Sequence, residues 1–559
     1  MSFPSAPASA AASLIARDIT KSFGPYVVLA GVSCTIAPQT RVGIVAPNGT
    51  GKTTLLRILA GLDTPDGGSV SRTPPTATVG YLPQIPERMP DESVRAFLGR
   101  RTGVDAAAAT FDAAAEALAA GTSNADDAYA TALEQFLALG AADFDARIGE
   151  VLAQVGLEPR ILEVPMPALS GGQAARASLA SIMLSRFDVF LLDEPTNDLD
   201  FAGLALLESF IRQLGGGVAI VSHDRSFLDR TITSVLEIDD HSRTGTLFAG
   251  GWQAYLDERA VARRHAEEAY ATYQEKRSTL TSRAQQQREW AVQGVRKVKK
   301  SGEPDKNIRH FRTQSSERLA GKARATDAAL ARLDAEAIEK PWEGWELRME
   351  LAQAPRSGAV VARFDRACVH RGAFTLGPIG LEIGYGERVA ILGANGSGKT
   401  TLLRLLLGDL SPNEGKVHRG PSVVIGELDQ ARGRFASDGT LLDAFLRETG
   451  VDMSTARSTL AKFGLGAEHI GREVGTLSPG ERTRAVLALF VTTGVNCLVL
   501  DEPTNHLDLP AIEQLEQALE SYDGTLLLVT HDRALLDAIT ISREIRLDAG
   551  QIVSDNSTI

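Results

Sequence analysis

Short runs of apolar residues that lead into a carboxylate mark the predicted strands of this sequence. Residues 189–192 and 497–500 are apolar throughout and are followed by Asp193 and Asp501. Runs without alternating polar positions are typical of strands buried in a parallel sheet. A third apolar run, residues 389–392, precedes a glycine-rich loop and a leucine-containing segment with helical character. Together these patterns predict an α/β fold.

A different pattern fills the middle of the chain, about residues 255–340, where Gly and Pro are scarce except near residues 294–304. Apolar residues there recur at steps of three and four, the spacing of a coiled-coil seam. The first seam, interrupted at Arg277, is Ala266, Tyr270, Tyr273, Leu280 and Ala284, and the second is Leu319, Ala323, Thr326, Leu330, Leu333 and Ala337. We predict an antiparallel helical hairpin, whose first helix would be roughly 50 Å long at about 1.5 Å per residue.

The sequence on the two sides of the hairpin repeats itself. Each half contains a glycine-rich GKTT loop, a glutamine, an LSGGQ or LSPGE motif, an apolar run ending in DEPTN, and an HDR motif, in that order. The motif serine precedes the aspartate by 23 residues in both halves, and the aspartate precedes the histidine by 30 in both. Matched spacing of this kind indicates two domains of the same fold.

The repeat sets the predicted domain boundaries. The first half carries about 38 additional residues, which are rich in alanine and therefore predict a helical insertion. The predicted segments are a disordered tail (1–13), a first domain (14–250) with an insertion at about 95–157, a hairpin linker (251–345) with a basic tip at about 291–312, and a second domain (346–559).

Composition narrows the class of protein. Of 559 residues, 43% are hydrophobic and 23% charged, as in soluble globular domains. No uncharged stretch reaches the roughly 20 apolar residues of a membrane-spanning helix, and no basic residue precedes Arg17, unlike a signal peptide. Cys34, Cys368 and Cys497 form no CxxC pair, which predicts buried thiols and argues against disulfides or a zinc site. We expect a soluble, cytoplasmic protein.

Charge is distributed unevenly. The net charge is −12, which on average disfavours binding to nucleic acid. Residues 276–324, however, contain 14 basic and 4 acidic residues, so this segment carries +10 and the rest of the chain −22. The sequence thus predicts a basic probe on an acidic body.

The glycine-rich loops have the context of phosphate-binding loops, because each joins an apolar strand to a helix. Glycines let backbone N–H groups surround phosphates, the lysine neutralises the β- and γ-phosphates, and the threonine after it can bind Mg²⁺. The first loop has Ala46 where the pattern has glycine, and we expect it still to bind nucleotide. The predicted nucleotide-binding residues of the loops are Ala46, Pro47, Asn48, Gly49, Thr50, Gly51, Lys52, Thr53 and Thr54, and Gly393, Ala394, Asn395, Gly396, Ser397, Gly398, Lys399, Thr400 and Thr401.

The remaining repeated residues complete a hydrolytic site. A strand-end aspartate can hold Mg²⁺, and the glutamate after it can orient or deprotonate the attacking water. The predicted catalytic residues are Glu194, Glu502, His223 and His531, the histidines contacting the γ-phosphate. The predicted Mg²⁺ residues are Thr53, Gln84, Asp193, Thr400, Gln430 and Asp501. The two glutamines would sense the metal and the attacking water, and they are also counted among the predicted nucleotide-binding residues.

These motifs resemble those of the ABC-F family of twin-cassette ATP-binding proteins. Both cassettes lie on one chain without a membrane segment, and residues 250–255, GGWQAY, resemble the Gly-aromatic-x-x-Tyr start of that family's interdomain linker. The resemblance implies two ATP-binding cassettes of the P-loop NTPase fold, ATPase activity, and ATP sandwiched head to tail. Each site would then be completed by the other cassette's signature motif, Ser170, Gly171, Gly172 and Gln173 or Ser478, Gly480 and Glu481, where Pro479 replaces the commoner glycine. Phe23 would stack on adenine in the first half, and the same offset gives His370 in the second.

The resemblance also implies a partner. In the ABC-F family the hairpin enters the exit-site region of the 70S ribosome and reaches toward the P-site tRNA and the peptidyl-transferase centre. Basic residues suited to rRNA or tRNA phosphates are Arg296, Lys297, Lys299, Lys300, Lys306, Arg309 and Arg312. Trp290, His310 and Phe311 suit stacking on unpaired bases. A solvated charged hairpin is the alternative interpretation of the same residues.

Several functions remain open at this point. We rank antibiotic resistance by ribosome protection first and relief or regulation of stalled translation second. A different class is the ATPase subunit of a drug exporter with separate membrane partners, for which the basic hairpin has no evident use. A DNA-repair ATPase ranks lowest, because the sequence has neither a zinc motif nor a very long coiled coil. We expect a monomer that closes its own two cassettes and binds no DNA.

Overall fold

The computed structural model describes residues 12–83, 89–300, 306–335, 356–372, 374–428, 439–505 and 507–557 of the chain. The chain divides into two compact units. Residues 1–253 and 345–559 form one unit, which contains both repeated domains, and residues 254–344 form the other, which we call the hairpin unit.

The first domain is built on a six-stranded sheet in the order β5-β6-β7-β3-β8-β9. Its strands are parallel except for β9, which pairs antiparallel with β8. They are β3 (Arg41–Val45), β5 (Val79–Leu82), β6 (Val189–Asp193), β7 (Gly217–Val221), β8 (Ser234–Ile238) and β9 (Gly245–Ala249). Every residue of β6 and β7 is buried, as expected for apolar strands covered on both faces.

A three-stranded antiparallel sheet and several helices cover this central sheet. The small sheet has the order β2-β1-β4, with β1 (Ser13–Phe23), β2 (Tyr26–Ile36) and β4 (Gly67–Thr73). The helices adjacent in sequence to central strands are α1 (Lys52–Ala60), α6 (Gly171–Leu184), α7 (Phe201–Gln213) and α8 (Arg225–Thr231). Of the predicted tail, residues 1–11 lie outside the described residues, whereas Ala12 is buried and Ser13 begins β1.

The additional residues of the first domain are helical. They form α2 (Val94–Thr102), α3 (Val104–Ala119), α4 (Ala125–Ala138) and α5 (Phe144–Gln154). α2 and α5 both pack on α6, and buried side chains on their inner faces, such as Phe97 and Phe144, hold them there. The helices α3 and α4 pack against each other and bury few side chains, because alanine supplies helix propensity but little apolar area.

The second domain repeats the design. Its central sheet has the order β14-β15-β16-β12-β17-β18 and its antiparallel sheet the order β11-β10-β13. The strands are β10 (Val360–Arg371), β11 (Phe374–Gly384), β12 (Arg388–Gly393), β13 (Glu414–Arg419), β14 (Ile425–Glu427), β15 (Cys497–Asp501), β16 (Thr525–Val529), β17 (Arg543–Asp548) and β18 (Gln551–Ser557). The helices described are α11 (Lys399–Leu407), α12 (Leu441–Thr449), α13 (Met453–Lys462), α14 (Ala467–Ile470), α15 (Pro479–Thr493), α16 (Leu509–Glu520) and α17 (Arg533–Ala538).

The hairpin unit consists of two long helices, α9 (Trp252–Lys300) and α10 (Lys306–Ala335). Side chains join them at Tyr273–Asp334, Arg277–Asp334, Gln287–Thr326 and Arg288–Asp327. Residue numbers rise along α9 as they fall along α10, so the helices are antiparallel, as predicted. The Arg277 guanidinium, at the interruption in the first seam, lies 2.9 Å from the Asp334 carboxylate.

Most of the predicted seam that the structure describes faces inward. Tyr273, Ala284 and Thr326 are buried. Four further members of the seam are half-buried: Tyr270, Leu280, Leu330 and Leu333. Ala266 is exposed. Ala337 lies outside the described residues, as do the side chains of Leu319 and Ala323.

The structure confirms the predicted fold class, two α/β domains with a helical hairpin between them in the sequence. Cys34, Cys368 and Cys497 are buried free thiols, as predicted, and burial raises the pKa of Cys34 to about 11. Among the described residues no helix is both long enough and apolar enough to cross a membrane.

Candidate nucleotide-binding sites

The first phosphate-binding loop joins β3 to α1. Gly49 and Gly51 have φ angles of 82° and 96°, values that residues with a side chain rarely adopt. A Cβ atom on Gly51 would also lie 2.4 Å from the Val28 side chain. The Lys52 Nζ atom donates to the Ala46 carbonyl at 2.8 Å and to the Pro47 carbonyl at 3.2 Å. The lysine therefore curls back over the loop, with its ammonium group where phosphates would lie.

The second loop, between β12 and α11, has nearly the same geometry. Gly396 and Gly398 have φ angles of 82° and 105°, and Lys399 Nζ donates to the Gly393 carbonyl at 2.7 Å and to the Ala394 carbonyl at 3.2 Å. Because the lysine contacts match in the two loops, Ala46 does not displace the first lysine.

The first position of each loop shows where glycine is needed. Gly393 has a φ of 153°, and a Cβ atom there would lie 2.3 Å from the Leu547 carbonyl oxygen. Ala46 is buried and does not have a positive φ. The first loop therefore begins with a backbone conformation that a side chain tolerates.

The threonine that follows each lysine pairs with the strand-end aspartate of the same domain. The Thr53 hydroxyl donates to Asp193 Oδ2 at 2.8 Å, and the Thr400 hydroxyl donates to Asp501 Oδ2 at 2.7 Å. Hydroxyl and carboxylate oxygens are the ligands that Mg²⁺ prefers, and these pairs are close enough to share one ion. The donor set therefore fits the predicted metal.

Each glutamate after the strand-end aspartate lies next to a histidine. Glu194 Oε1 is 3.2 Å from His223 Nε2, and Glu502 Oε1 is 3.6 Å from His531 Nε2. Both glutamates have positive φ angles, 49° and 47°, the kind of backbone strain that concentrates at functional sites. The structure thus brings together the four predicted catalytic residues, two in each domain.

Burial shifts the pKa values of these groups in the directions that catalysis at neutral pH would use. Burial raises the pKa of Glu194 to about 7 and that of Glu502 to about 8. Burial, together with the ammonium group of the neighbouring lysine, lowers the pKa of His223 to about 3 and that of His531 to about 4. The glutamates are poised to exchange a proton, and the histidines stay neutral.

Each loop also contacts the opposite domain. The Asn48 N–H donates to Asp508 Oδ2 at 3.1 Å, and the Asn395 N–H donates to Asp200 Oδ2 at 3.0 Å. A Cβ atom on Gly172, in the first signature motif, would lie 2.9 Å from the Asn395 side chain. Gly172 therefore lies next to the second loop, as the head-to-tail arrangement requires.

The two signature motifs begin helices in the same way. Ser170 caps α6 and Ser478 caps α15, each within a reciprocal capping box with Gln173 or Glu481. Pro479 occupies the first turn of α15, where a missing backbone N–H disturbs no helical hydrogen bond.

Cavities gather the predicted residues from both domains. One cavity is lined by Phe23, Asn48, Gly49, Gly51, Lys52, Thr53, Thr54, Asp193, Glu194 and His223, together with Thr504 of the second domain. Another is lined by Gly171, Gly172, Asp193, Glu194 and His223 and also by Asn395, Gly396, Glu502 and His531. The buried Ser397 hydroxyl has no hydrogen-bond partner among the described residues, which is consistent with a ligand in its loop.

Some predicted residues, or their side chains, lie outside the described part of the chain. Gln84 and Gln430 lie outside the described residues. The helix backbone is described at Arg296, Lys297, Lys299, Lys300, Lys306, Arg309 and Arg312, but their side chains are not. At the two positions considered for adenine stacking, the structure shows different surroundings. Phe23 lines a cavity and is 54% exposed. The His370 ring has its Nδ1 atom 3.1 Å from the Thr375 hydroxyl.

Three residues of the sites were missed by the sequence reasoning. Asp200 and Asp508 end the repeated DLD and HLD triplets, and this recurrence was the available signal. Tyr81 donates its hydroxyl to Asp193 Oδ2 at 3.2 Å. The corresponding residue of the second domain is Glu427, so Tyr81 gave no repeat signal.

Comparison with known proteins identifies the family of this chain. The model of the ABC transporter family matches residues 29–197 and 376–505. The chain is 35% identical over 555 residues to the tylosin resistance ATP-binding protein TlrC of Streptomyces fradiae, covering 95% of this chain and 97% of the relative. The chain belongs to the ABC-F family.

Other ABC-F relatives align along most of the chain. The energy-dependent translational throttle protein EttA of Mycobacterium tuberculosis is 31% identical over 540 residues, covering 93% of this chain and 89% of EttA. Among solved structures, RNase-L Inhibitor superposes with a TM-score of 0.56 at 20% identity, covering 96% of this chain and 88% of that chain. The last similarity concerns the fold. The two domains of this ABC-F protein are ATP-binding cassettes of the NTPase class.

Proposed function

We propose that this protein is an ATPase that binds the bacterial ribosome at the exit-site region with its cassettes closed on ATP. The hairpin tip then acts on the P-site tRNA and the peptidyl-transferase centre and thereby protects the ribosome from an antibiotic. Resistance is favoured over other roles because the relative at 35% identity is named for tylosin resistance.

The residues of each cassette divide the hydrolytic work. Lys52 and Lys399 would neutralise phosphate charge, and Glu194 and Glu502 would orient the attacking water and accept its proton. Bound Mg²⁺, held through Thr53–Asp193 or the matching pair in the second cassette, would supply neutralisation of the β- and γ-phosphate oxygens. Release of the ribosome would follow hydrolysis of the ATP between the cassettes.

The observation that carries the ribosome proposal is the charge of the hairpin. α9 has 49 residues, so it extends roughly 70 Å at about 1.5 Å per residue. The segment at residues 276–324 carries +10, while the rest of the chain carries −22. A long pair of basic helices is suited to binding the phosphate groups on an RNA surface. The acidic rest of the protein would be repelled by those phosphates.

Cell-free translation in the presence of tylosin tests the protective role. We expect the wild-type protein to restore synthesis, and the variant Lys299→Gln with Lys300→Gln to lose most of that protection, because two phosphate-contacting charges are removed from the tip. The matched control is Arg263→Gln with Arg264→Gln, which removes two charges near the base of α9 and should retain protection. Equal activity of both double variants would contradict a role for the tip.

Translational control is the second candidate, favoured by the 31% identity to a protein named as an energy-dependent translational throttle. It predicts that the wild-type protein changes the rate of drug-free translation in an ATP-dependent way. Protection from the drug without any change in drug-free translation would favour the resistance role.

A further inference from the structure

Two reciprocal ion pairs connect the cassettes beside the catalytic histidines. Arg533, two residues after His531, lies with its guanidinium 3.0 Å from the Glu208 carboxylate on α7 of the first cassette. Arg225, two residues after His223, pairs with Glu516 on α16 of the second cassette. Both glutamates are buried. Each histidine segment is thus anchored to the opposite cassette through the same residue types at the same offsets.

One residue breaks this symmetry. Phe201, the first residue of α7, makes a T-shaped ring contact with His531, with centroids 5.1 Å apart and planes at 81°. The Arg533 guanidinium lies 5.6 Å from the centroid of the same ring, within the range of a cation–π contact. The repeat aligns Phe201 with Leu509, and leucine has no ring to present to His223 or Arg225.

The histidines also differ in their nearest partners. His531 Nε2 lies 3.2 Å from Lys399 Nζ and 3.6 Å from Glu502, whereas His223 Nε2 lies 3.2 Å from Glu194. An edge-to-face aromatic contact fixes the direction of a ring. In the second site, therefore, the opposite cassette restricts the imidazole that lies between the lysine and the glutamate.

We propose that Phe201 is a positioning residue, supplied by the first cassette, for His531 in the Lys399 site. Closure of the cassettes places the Phe201 ring against His531. The Arg533 guanidinium contacts the same ring, and the Glu208 carboxylate holds Arg533 in place. The Lys399 site thereby depends on an aromatic contact from a position at which the repeat places Leu509 for the Lys52 site. This inference rests on the proposed ATP hydrolysis, and it does not depend on the ribosome.

The test is steady-state ATP hydrolysis by the purified full-length protein without ribosomes. Phe201→Leu, which copies the residue of the other cassette, should lower kcat about three- to tenfold and leave KM for ATP within about twofold. Phe201→Tyr keeps the ring and should stay within twofold of wild type, as should Leu509→Met, a volume-conserving change at the matched position. Unfolding temperatures measured on all three variants identify any loss that comes from misfolding.

A double-mutant cycle separates positioning from general packing. In a His531→Ala background, measured by single-turnover hydrolysis, Phe201→Leu should have no further effect, because the residue that it positions is absent. The same fold-loss in both backgrounds, or no loss in the wild-type background, would overturn the proposal. If the wild-type protein hydrolyses no ATP, the proposed function fails first, and this outcome is distinct from a normal wild-type rate with an unchanged Phe201→Leu variant.

Discussion

The two nucleotide sites share a backbone plan but differ in the side chains around it. Both place a lysine over its own loop, a threonine against the strand-end aspartate, and a glutamate next to a histidine. They differ in three side chains: the first loop residue is Ala46 in one site and Gly393 in the other, Tyr81 donates to Asp193 in the first site, and Phe201 packs on His531 in the second. The shared part is what phosphate binding and hydrolysis require, so the differences are where the two sites can diverge in rate.

The largest effects should come from the two glutamates that we propose as general bases, Glu194 and Glu502. Replacing one by glutamine removes the general base with little change of shape, and such groups contribute about 10²- to 10⁴-fold to rate. Glu194→Gln combined with Glu502→Gln should therefore abolish measurable turnover. The two single variants, assayed by phosphate release, compare the sites directly, and a double variant that keeps more than about a tenth of wild-type activity would contradict the assignment.

A smaller effect is expected from the aspartates that reach across the interface. Asp200→Asn keeps a side-chain oxygen for its own helix cap at Gly203 but turns an amide N–H toward the Asn395 N–H. An unsatisfied buried donor costs about 1–3 kcal/mol, so the closed state of the cassettes in ATP should be less populated by a corresponding factor. The distance between spectroscopic labels on the two cassettes measures this population.

Asp508→Asn is the matched variant for the opposite contact, to the Asn48 N–H. The two aspartates make equivalent contacts, so the two variants should weaken closure by similar amounts. A large effect of one and no effect of the other would mean that only one interface contact forms in solution.

The smallest effect should come from Tyr81→Phe. This change removes the Tyr81 hydroxyl donor to Asp193 and leaves the Thr53 donor in place. Since outer-shell partners tune metal affinity, we expect up to about a tenfold rise in the Mg²⁺ concentration needed for hydrolysis. Glu427→Gln, at the matching position, is the control, and an equal Mg²⁺ requirement for the two variants would argue against a special role for Tyr81.

Much of this could be predicted from the sequence because repetition doubles each signal. The loops, the strand-end carboxylates and the histidines recur at fixed offsets, and the structure brings them together within each cassette. The hairpin was predictable from seam spacing, since a coiled coil is specified by local periodicity.

The unpredicted features arise from contacts between residues far apart in the chain. Asp200 pairs with Asn395, and Phe201 packs on His531, which no local pattern specifies. Tyr81 and Phe201 moreover differ from the residues at the matching positions of the second half. Comparing the two halves reveals these differences, but it does not show which residue Tyr81 or Phe201 contacts. Glycine is needed at position 393 because a Cβ atom there would meet the Leu547 carbonyl oxygen, whereas alanine is tolerated at position 46 of the first loop. The loop motif does not contain this tertiary contact.

We propose that the cassettes bind the ribosome when they are closed on ATP. Co-sedimentation of the Glu194→Gln, Glu502→Gln protein with 70S particles, in ATP and in ADP, tests this binding. The protein should pellet with ribosomes in ATP and stay in the supernatant in ADP. Protein that remains in the supernatant with both nucleotides, although it binds ATP, would contradict the ribosome as its target.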